Sequence, residues 1–196
     1  MSFDIQKLVR SHIADLKPYS SARDEFDPVE GEVVYLDANE NPFYNGVNRY
    51  PDPQQRKLKE VIAMRRGLAA NQVLLGNGSD EVLDLIFRAF CIPNQDNIIV
   101  MPPTYGMYKV LANINCISLY EVPLSNDFQL VTKDILNHIS SRTKAIFLCS
   151  PNNPSGNSFH RADILSLLKS FDGLVVVDEA YIDFSTQKSM VTELPY

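Results

Sequence analysis

Residues 145–156 have the sequence Ala-Ile-Phe-Leu-Cys-Ser-Pro-Asn-Asn-Pro-Ser-Gly. An apolar run without polar alternation is typical of a central parallel strand that helices cover on both faces. The Pro, Asn and Gly residues that follow predict a rigid turn, although an ordinary connecting turn has the same composition. Ligands of open α/β sheets bind beyond the carboxyl ends of the strands. The stretch therefore predicts a fold class and places Asn153 at the edge of the sheet where ligands bind.

The same pattern extends through most of the chain. From residue 73 onward, short apolar runs alternate with apolar residues at helical spacing. This alternation predicts an α/β fold of three layers, with a mostly parallel sheet and helices on both faces. Predicted strands cover residues 73–75, 97–101, 116–122, 145–149 and 174–177. Predicted helices cover residues 54–66, 79–90, 135–139, 164–168 and 189–194.

The first part of the chain differs in composition. Five prolines interrupt residues 1–53, with Asp, Glu and Asn between them. Proline lacks a backbone N–H and breaks regular structure. We therefore predict an irregular N-terminal arm over residues 1–53 and a cofactor-binding large domain over residues 54–196.

Composition and charge exclude several functional classes. Of 196 residues, 45% are hydrophobic and 21% are charged, which is typical of a globular protein. The net charge of −6 argues against a nucleic-acid partner. No apolar run approaches the length of a membrane helix, and the first residues do not resemble a signal peptide, so we expect a soluble cytoplasmic protein with no membrane partner. Three cysteines and three histidines at wide spacings predict no metal site.

Residues 76–81, Gly-Asn-Gly-Ser-Asp-Glu, begin a predicted helix. The glycines would let a ligand approach the backbone, and the N–H groups of Ser79 and Asp80 would face an anion at the positive end of the helix. A capped helix start is the alternative explanation. A dinucleotide-binding loop would require glycine at position 81, where this chain has Glu81.

Asp178 follows another apolar strand, in the segment Asp-Glu-Ala-Tyr that ends at Tyr181. A carboxylate in that position needs a cation or several hydrogen-bond donors. A magnesium site of a nucleotide-hydrolysing enzyme would require a Gly-x-x-x-x-Gly-Lys-Ser/Thr loop, which the sequence lacks. Pyridoxal 5′-phosphate fits the turns over 76–81, 150–156 and 178–181. It has a phosphate for the first, a ring oxygen for the second, and for the third a ring nitrogen that a carboxylate keeps protonated.

With these motifs in order, the chain resembles the fold-type I pyridoxal-phosphate enzymes, and within them the histidinol-phosphate aminotransferase group. The segments Asn-Glu-Asn-Pro and Arg-Tyr-Pro narrow the resemblance to that group. The motifs that carry it cover residues 17–19, 36–42, 48–51, 76–81, 102–108, 150–156 and 178–181.

The resemblance implies roles for individual residues. Backbone N–H groups would hold the cofactor phosphate, a tyrosine would stack on the pyridine ring, Asn and Tyr would bind the ring oxygen, and Asp would pair with the ring nitrogen. The implied cofactor-binding residues are Ser79, Asp80, Tyr105, Asn153, Tyr181 and Asp178. Tyr50 would reach the phosphate bound by a neighbouring subunit, which implies a homodimer with shared active sites. The implied substrate-side residues are Tyr19, Asn39 and Glu40.

Without the family pattern, Tyr105 and Tyr108 would be interpreted as ordinary core aromatics and Tyr50 as a turn residue. With it, the implied reaction converts histidinol phosphate and 2-oxoglutarate to imidazole acetol phosphate and L-glutamate, in histidine biosynthesis. An aromatic amino acid aminotransferase and a threonine-phosphate decarboxylase of the same family are the alternatives.

In this family the Schiff-base lysine follows the Asp-Glu-Ala-Tyr segment in a Ser-Lys context. Lys188 is the only later lysine, and its surroundings, Thr-Gln-Lys-Ser-Met, are typical of a surface helix start. We therefore expect the catalytic lysine and the C-terminal small domain beyond Tyr196, and an incomplete sheet. The 196-residue chain alone is predicted to be inactive, and a non-catalytic truncated product is the alternative from another class.

Overall fold

The computed structural model describes residues 4–20 and 34–194. These residues form two units, which are described separately. One comprises residues 16–20 and 34–75, and the other comprises residues 4–15 and 76–194. The first unit includes the helix over 56–66. The predicted boundary between residues 53 and 54, with a cofactor-binding domain after it, stays a prediction.

Within the described residues, the α-helices are α1 (Ser11–Ala14), α2 (Arg56–Arg66), α3 (Ser79–Phe90), α4 (Met107–Ile114), α5 (Thr132–Asn137) and α6 (Arg161–Ser170). The strands are β1 (Asn97–Val100), β2 (Ser118–Glu121), β3 (Thr143–Cys149) and β4 (Leu174–Asp178). Short 3₁₀ turns cover Ile5–Lys7, Ala70–Gln72, Ile182–Phe184 and Met190–Glu193. In the described part of the chain, we find no helix with the length and apolar character needed to cross a membrane.

The four strands form one parallel sheet in the order β2-β1-β3-β4. The chain adds β2 on one side of β1 and then returns to add β3 on the other side. A crevice opens at such a reversal, at the carboxyl ends of the two central strands. In the sheet register Cys149 pairs with Asp178, so the predicted turn after β3 and the predicted carboxylate lie on neighbouring strands. The predicted α/β fold with a parallel sheet is confirmed.

Alternate residues of the central strands face two separate cores. On β1, Ile98 and Val100 pack with buried residues of α3 and α4. Ile99 and Met101 pack with buried residues of α5 and α6 on the opposite face. Helices therefore cover both faces of the sheet, which explains why its central strands are apolar throughout. Each fully buried aliphatic or aromatic side chain contributes roughly 1.5–3 kcal/mol.

Two predicted elements are wrong in the described residues. Residues 73–75 form no strand, and Leu74 is exposed rather than buried as a central strand would require. The predicted helix over 189–194 is only the 3₁₀ turn Met190–Glu193. The Ser189 side chain accepts a hydrogen bond from the Val191 backbone N–H and caps this turn. The predicted strand over 116–122 shortens to Ser118–Glu121.

Candidate active site

A buried asparagine joins the loops that follow β1 and β3. Asn152, which is 2% exposed, donates from Nδ2 to the backbone oxygen of Pro103 at 2.9 Å and to Oγ of Ser155 at 2.6 Å. Its Oδ1 accepts a hydrogen bond from Oγ1 of Thr104 at 3.0 Å. Each polar atom of the side chain thus has a partner, as burial requires. Asn152 fixes the two loops at the crevice of the sheet.

Sequence reasoning named Asn153 and missed Asn152. The only signal was the pair of adjacent asparagines between two prolines. Composition favours such residues in turns but does not say which side chain faces inward. The structure assigns the internal hydrogen bonds to the first asparagine. Asn153 is half-buried, and no hydrogen bond joins its side chain to any residue that the structure describes.

Asn153 and Tyr181 line the same cavity. Its volume is about 330 Å³, and its wall includes Ser158 and Phe184. Tyr181 lies just after β4 and is 48% exposed. A carboxamide and a phenol on one cavity wall can both hydrogen-bond a polar ligand atom. The structure therefore brings together the two residues that were predicted to share a ring oxygen.

Asp178 ends β4, where its side chain is half-buried. Its Oδ2 accepts a hydrogen bond from the hydroxyl of Tyr108 at 2.9 Å. Its Oδ1 accepts one from the backbone N–H of Ala180 at 3.1 Å. An ionised carboxylate can accept about four hydrogen bonds, so this one keeps capacity for a ligand.

Tyr105 links the loop after β1 to the start of α3. Its hydroxyl donates to the carboxylate of Asp80, 3.1 Å from Oδ1 and 3.4 Å from Oδ2. Burial first, and then the hydrogen bond to Asp80 and the negative charges nearby, raise the pKa of Tyr105 above its ordinary value. The phenol therefore stays protonated and keeps donating to Asp80. Asp178 and Tyr181 are minor causes of the same rise.

Helix α3 begins at an exposed, uncapped end. Gly78 precedes it with φ of +80°, a backbone conformation that favours glycine, and no side chain caps the helix. The backbone N–H groups of Ser79 and Asp80 donate to no residue that the structure describes. Glu81 instead folds back and accepts hydrogen bonds from the backbone and side chain of Asn77. Free N–H groups at the positive end of a 12-residue helix can bind an anion such as a phosphate.

Cys149, the last residue of β3, lies beside Asp178 in the sheet and near Tyr108. Its thiol donates to the backbone oxygen of Pro151 at 3.4 Å. Burial is the main cause that raises the pKa of Cys149. A thiol that is buried and kept protonated is a poor nucleophile, so we assign Cys149 to the packing of the site.

The remaining predicted residues belong to the unit of residues 16–20 and 34–75. Tyr19 and Tyr50 are exposed there, and Asn39 has φ of +52°. The Glu40 side chain is only 2% exposed. Its Oε2 accepts a hydrogen bond from Nη1 of Arg49 at 2.9 Å, and its Oε1 accepts one from the backbone N–H of Tyr50 at 2.8 Å. Glu40 thus holds the segment that carries Tyr50.

The chain matches the family Aminotransferase class I and II over residues 36–195. It is 62% identical over 188 residues to histidinol-phosphate aminotransferase of Flavobacterium psychrophilum, covering 96% of the chain and 54% of that protein. It is 59% identical over 194 residues to the enzyme of the same name from Flavobacterium johnsoniae, covering 98% of the chain and 56% of that protein. Among solved structures, histidinol-phosphate aminotransferase from Clostridium acetobutylicum is similar with a TM-score of 0.65 and 25% identity, over 76% of this chain and 44% of that one.

The chain thus spans about half the length of the curated relatives that it matches. The family match covers most of the chain, including every predicted cofactor-binding residue. The parallel sheet and the helices on its two faces agree with the similar solved structure. The chain belongs to the class I and II aminotransferase family.

Proposed function

We propose that the unit of residues 4–15 and 76–194 binds pyridoxal 5′-phosphate, as part of an aminotransferase that acts on histidinol phosphate. The observation that supports this most is the convergence of three kinds of group at the carboxyl edge of the sheet. These are the uncapped start of α3, the Asp178 carboxylate, and the cavity lined by Asn153 and Tyr181. Members of this family generally depend on this cofactor.

The residues present fit the parts of the cofactor. The free N–H groups of Ser79 and Asp80 would hold its phosphate, because they face an anion at the positive end of α3. Asp178 would pair with the ring nitrogen and favour its protonated form. When bound, the cofactor supplies an electron sink for the negative charge that develops at the substrate's α-carbon.

The other residues at this edge would orient the ring. Tyr105 would stack on it, with its hydroxyl fixed by Asp80. Asn153 and Tyr181 would donate to the ring oxygen, since neither hydrogen-bonds another side chain of the described chain. A second subunit would contribute Tyr50 to the phosphate, which makes the proposed enzyme a homodimer. Tyr19, Asn39 and Glu40 would form the substrate side.

The relatives at 59% and 62% identity support the substrate. We propose that the amino group of histidinol phosphate passes to 2-oxoglutarate, giving imidazole acetol phosphate and L-glutamate. The catalytic lysine is proposed to lie outside the 196 residues. Within the described residues, no lysine lines the cavity of Asn153 and Tyr181, and Nζ of Lys109 is bound to Glu121 at 3.1 Å.

The test begins with the coding sequence after Tyr196. We expect a Ser-Lys-x-x-x-x-x-Gly stretch within a few dozen codons. The product of the complete reading frame is then assayed with histidinol phosphate, phenylalanine and threonine phosphate, measuring glutamate formation and carbon dioxide release. Histidinol phosphate should give the highest kcat/KM. A preference for phenylalanine, or release of carbon dioxide, would assign the protein to one of the alternative activities.

Site variants of the same product test the assignment of residues. Asp178→Asn should lower kcat/KM by about 10²–10³-fold, because it removes the charge that faces the ring nitrogen. Asp172→Asn is the matched control, since Asp172 is exposed in the turn before β4. Equal effects of the two substitutions would contradict the role of Asp178.

A further inference from the structure

We propose that Tyr108 is a positioning residue that fixes the Asp178 carboxylate for the ring nitrogen of the cofactor. This inference rests on the proposed function and assigns a role to a residue that otherwise belongs to the core. Tyr108 lies on α4 and is 0% exposed, while Asp178 ends β4, 70 positions later in the chain. The 2.9 Å hydrogen bond between them runs from the buried helix layer to the ligand edge of the sheet.

The carboxylate is held at both oxygens. Tyr108 donates to Oδ2, and the backbone N–H of Ala180 donates to Oδ1. One donor on each oxygen resists rotation of the carboxyl group about its bond to Cβ. Each oxygen keeps acceptor capacity on its other side. Asp178 is therefore oriented before any ligand arrives, and such preorganisation improves binding and electrostatic stabilisation.

The ring of Tyr108 is itself fixed by other aromatic rings. Its centroid is 5.3 Å from that of Phe147 on β3, and Phe147 stacks on Phe87 of α3 at 5.1 Å. Tyr105 meets Tyr108 edge to face, with the ring centroids 5.6 Å apart and the ring planes at 86°. Tyr108 thus contacts two residues of the proposed cofactor site, one through its hydroxyl and one through its ring. These contacts leave the hydroxyl little freedom to leave Asp178.

Protonation supports the same role. Burial is the main cause that raises the pKa of Tyr108 above its ordinary value, and the carboxylate of Asp178 beside its hydroxyl adds to this rise. The hydroxyl therefore stays protonated and can donate to Asp178. The other ionisable groups around Asp178 are Cys149 on β3, whose pKa burial also raises, and the phenols of Tyr105 and Tyr181. Tyr108 therefore keeps its hydrogen bond to Oδ2 of Asp178.

A double-mutant cycle in the 196-residue chain distinguishes a positioning role of Tyr108 from a role in packing alone. Pyridoxal 5′-phosphate affinity is measured for the unchanged chain, Tyr108→Phe, Asp178→Asn and the double variant. We expect Tyr108→Phe to weaken binding by about 5–20-fold when Asp178 is present and by less than about twofold in the Asp178→Asn background. Tyr120→Phe, on exposed β2, should leave the affinity unchanged. Equal losses in both backgrounds would show that Tyr108 only packs the core and would overturn the proposal.

A second measurement needs no cofactor. In the full chain labelled with ¹³C at aspartate carboxyl groups, the Asp178 signal is identified by its absence in Asp178→Asn. Its chemical shift at neutral pH should change in Tyr108→Phe, because the carboxylate loses the donor to Oδ2, and should stay unchanged in Tyr120→Phe. An unchanged chemical shift in Tyr108→Phe overturns the inference. If the chain binds no cofactor but the chemical shift changes, Tyr108 still positions Asp178, and the proposed cofactor binding by this chain is what fails.

Discussion

The hydroxyl of Tyr105 lies 3.1 Å from Oδ1 of Asp80, so a residue of the loop after β1 is tied to the first turn of α3. The family resemblance gives these residues separate roles, one stacking on the cofactor ring and one binding the phosphate through its backbone. Their side chains are joined, and the position of the ring-stacking residue therefore depends on the helix that would bind the phosphate.

Tyr105→Phe keeps the ring and removes this hydrogen bond. We expect the affinity for pyridoxal 5′-phosphate to fall by about 3–10-fold, because a single hydrogen bond to a charged group is lost while stacking remains. Tyr105→Ala should cost more, since it removes the stacking ring as well. Fluorescence titration of the cofactor measures both. Equal affinities for the unchanged chain and Tyr105→Phe would show that the Asp80 contact does not position the ring.

The adjacent asparagines give a matched pair of variants. Asn152→Ala removes hydrogen bonds to both loops and leaves buried polar groups without partners, so we expect a loss of about 2–3 kcal/mol in the free energy of unfolding. Asn153→Ala should change that free energy by less than about 0.5 kcal/mol, because its side chain has no hydrogen bond within the described residues.

Cofactor binding should separate the same pair. Asn153→Ala is expected to weaken pyridoxal 5′-phosphate binding in a protein of normal stability. Urea unfolding measures the stability and fluorescence titration measures the binding. The reverse pattern, with Asn153 stabilising the fold and Asn152 dispensable, would contradict the arrangement of the loop.

Glu40 is predicted to protect the backbone N–H of Tyr50. Both carboxylate oxygens are engaged, one by Arg49 and one by that N–H group. Glu40→Ala should therefore accelerate hydrogen exchange at the Tyr50 amide by about tenfold or more. Glu60→Ala on α2 is the control, because Glu60 is exposed. Unchanged protection at Tyr50 in Glu40→Ala would show that another group holds this segment.

The buried thiol of Cys91 should make the folded protein less stable at alkaline pH. It is 1% exposed, and burial, followed by the charge of Asp96, raises the pKa of its thiol from 9.0 to about 12. The folded state then binds one more proton than the unfolded state between these values. This stabilisation is fully present below pH 9 and is lost as the pH rises from about 9 to 12, at about 1.4 kcal/mol per pH unit.

Urea unfolding between pH 8 and pH 10.5 checks this prediction. Cys91→Ala should lower the free energy of unfolding at pH 8 and flatten its decline above pH 9. Cys116→Ala is the control, since Cys116 is exposed. If Cys91→Ala and the unchanged chain decline with the same slope, the thiol of Cys91 does not carry the effect.

The 196-residue chain should form no covalent adduct with pyridoxal 5′-phosphate that borohydride can reduce, and it should show no transaminase activity. The reason is that no lysine lines the cavity of Asn153 and Tyr181 within the described residues. Mass spectrometry after reduction measures the adduct, and fluorescence titration measures reversible binding separately. Robust turnover of histidinol phosphate by this chain would contradict the placement of the catalytic lysine outside it.

Patterns along the sequence predicted the layers of the fold better than the contacts of the site. The run over 145–149 has no polar alternation, and the structure buries its residues between two cores. The run over 73–75 has similar composition but forms no strand, because strand formation depends on a neighbour that local sequence does not reveal.

For the site residues, the sequence does not show in which direction each side chain points. Tyr108 and Tyr105 lie three positions apart, and their sequence context does not distinguish a core ring from a ligand-facing one. The partner of the Tyr108 hydroxyl is 70 positions away, on a different element. Only the folded sheet brings the two together.

Asn152 couples the loops after β1 and β3 into one structural unit. One side chain reaches Pro103 and Thr104 on one loop and Ser155 on its own. A change of length or composition in either loop would leave buried polar atoms of the other loop without hydrogen-bond partners. An exchange of loops with a relative to change substrate specificity should therefore replace residues 101–106 and 150–157 together and retain Asn152.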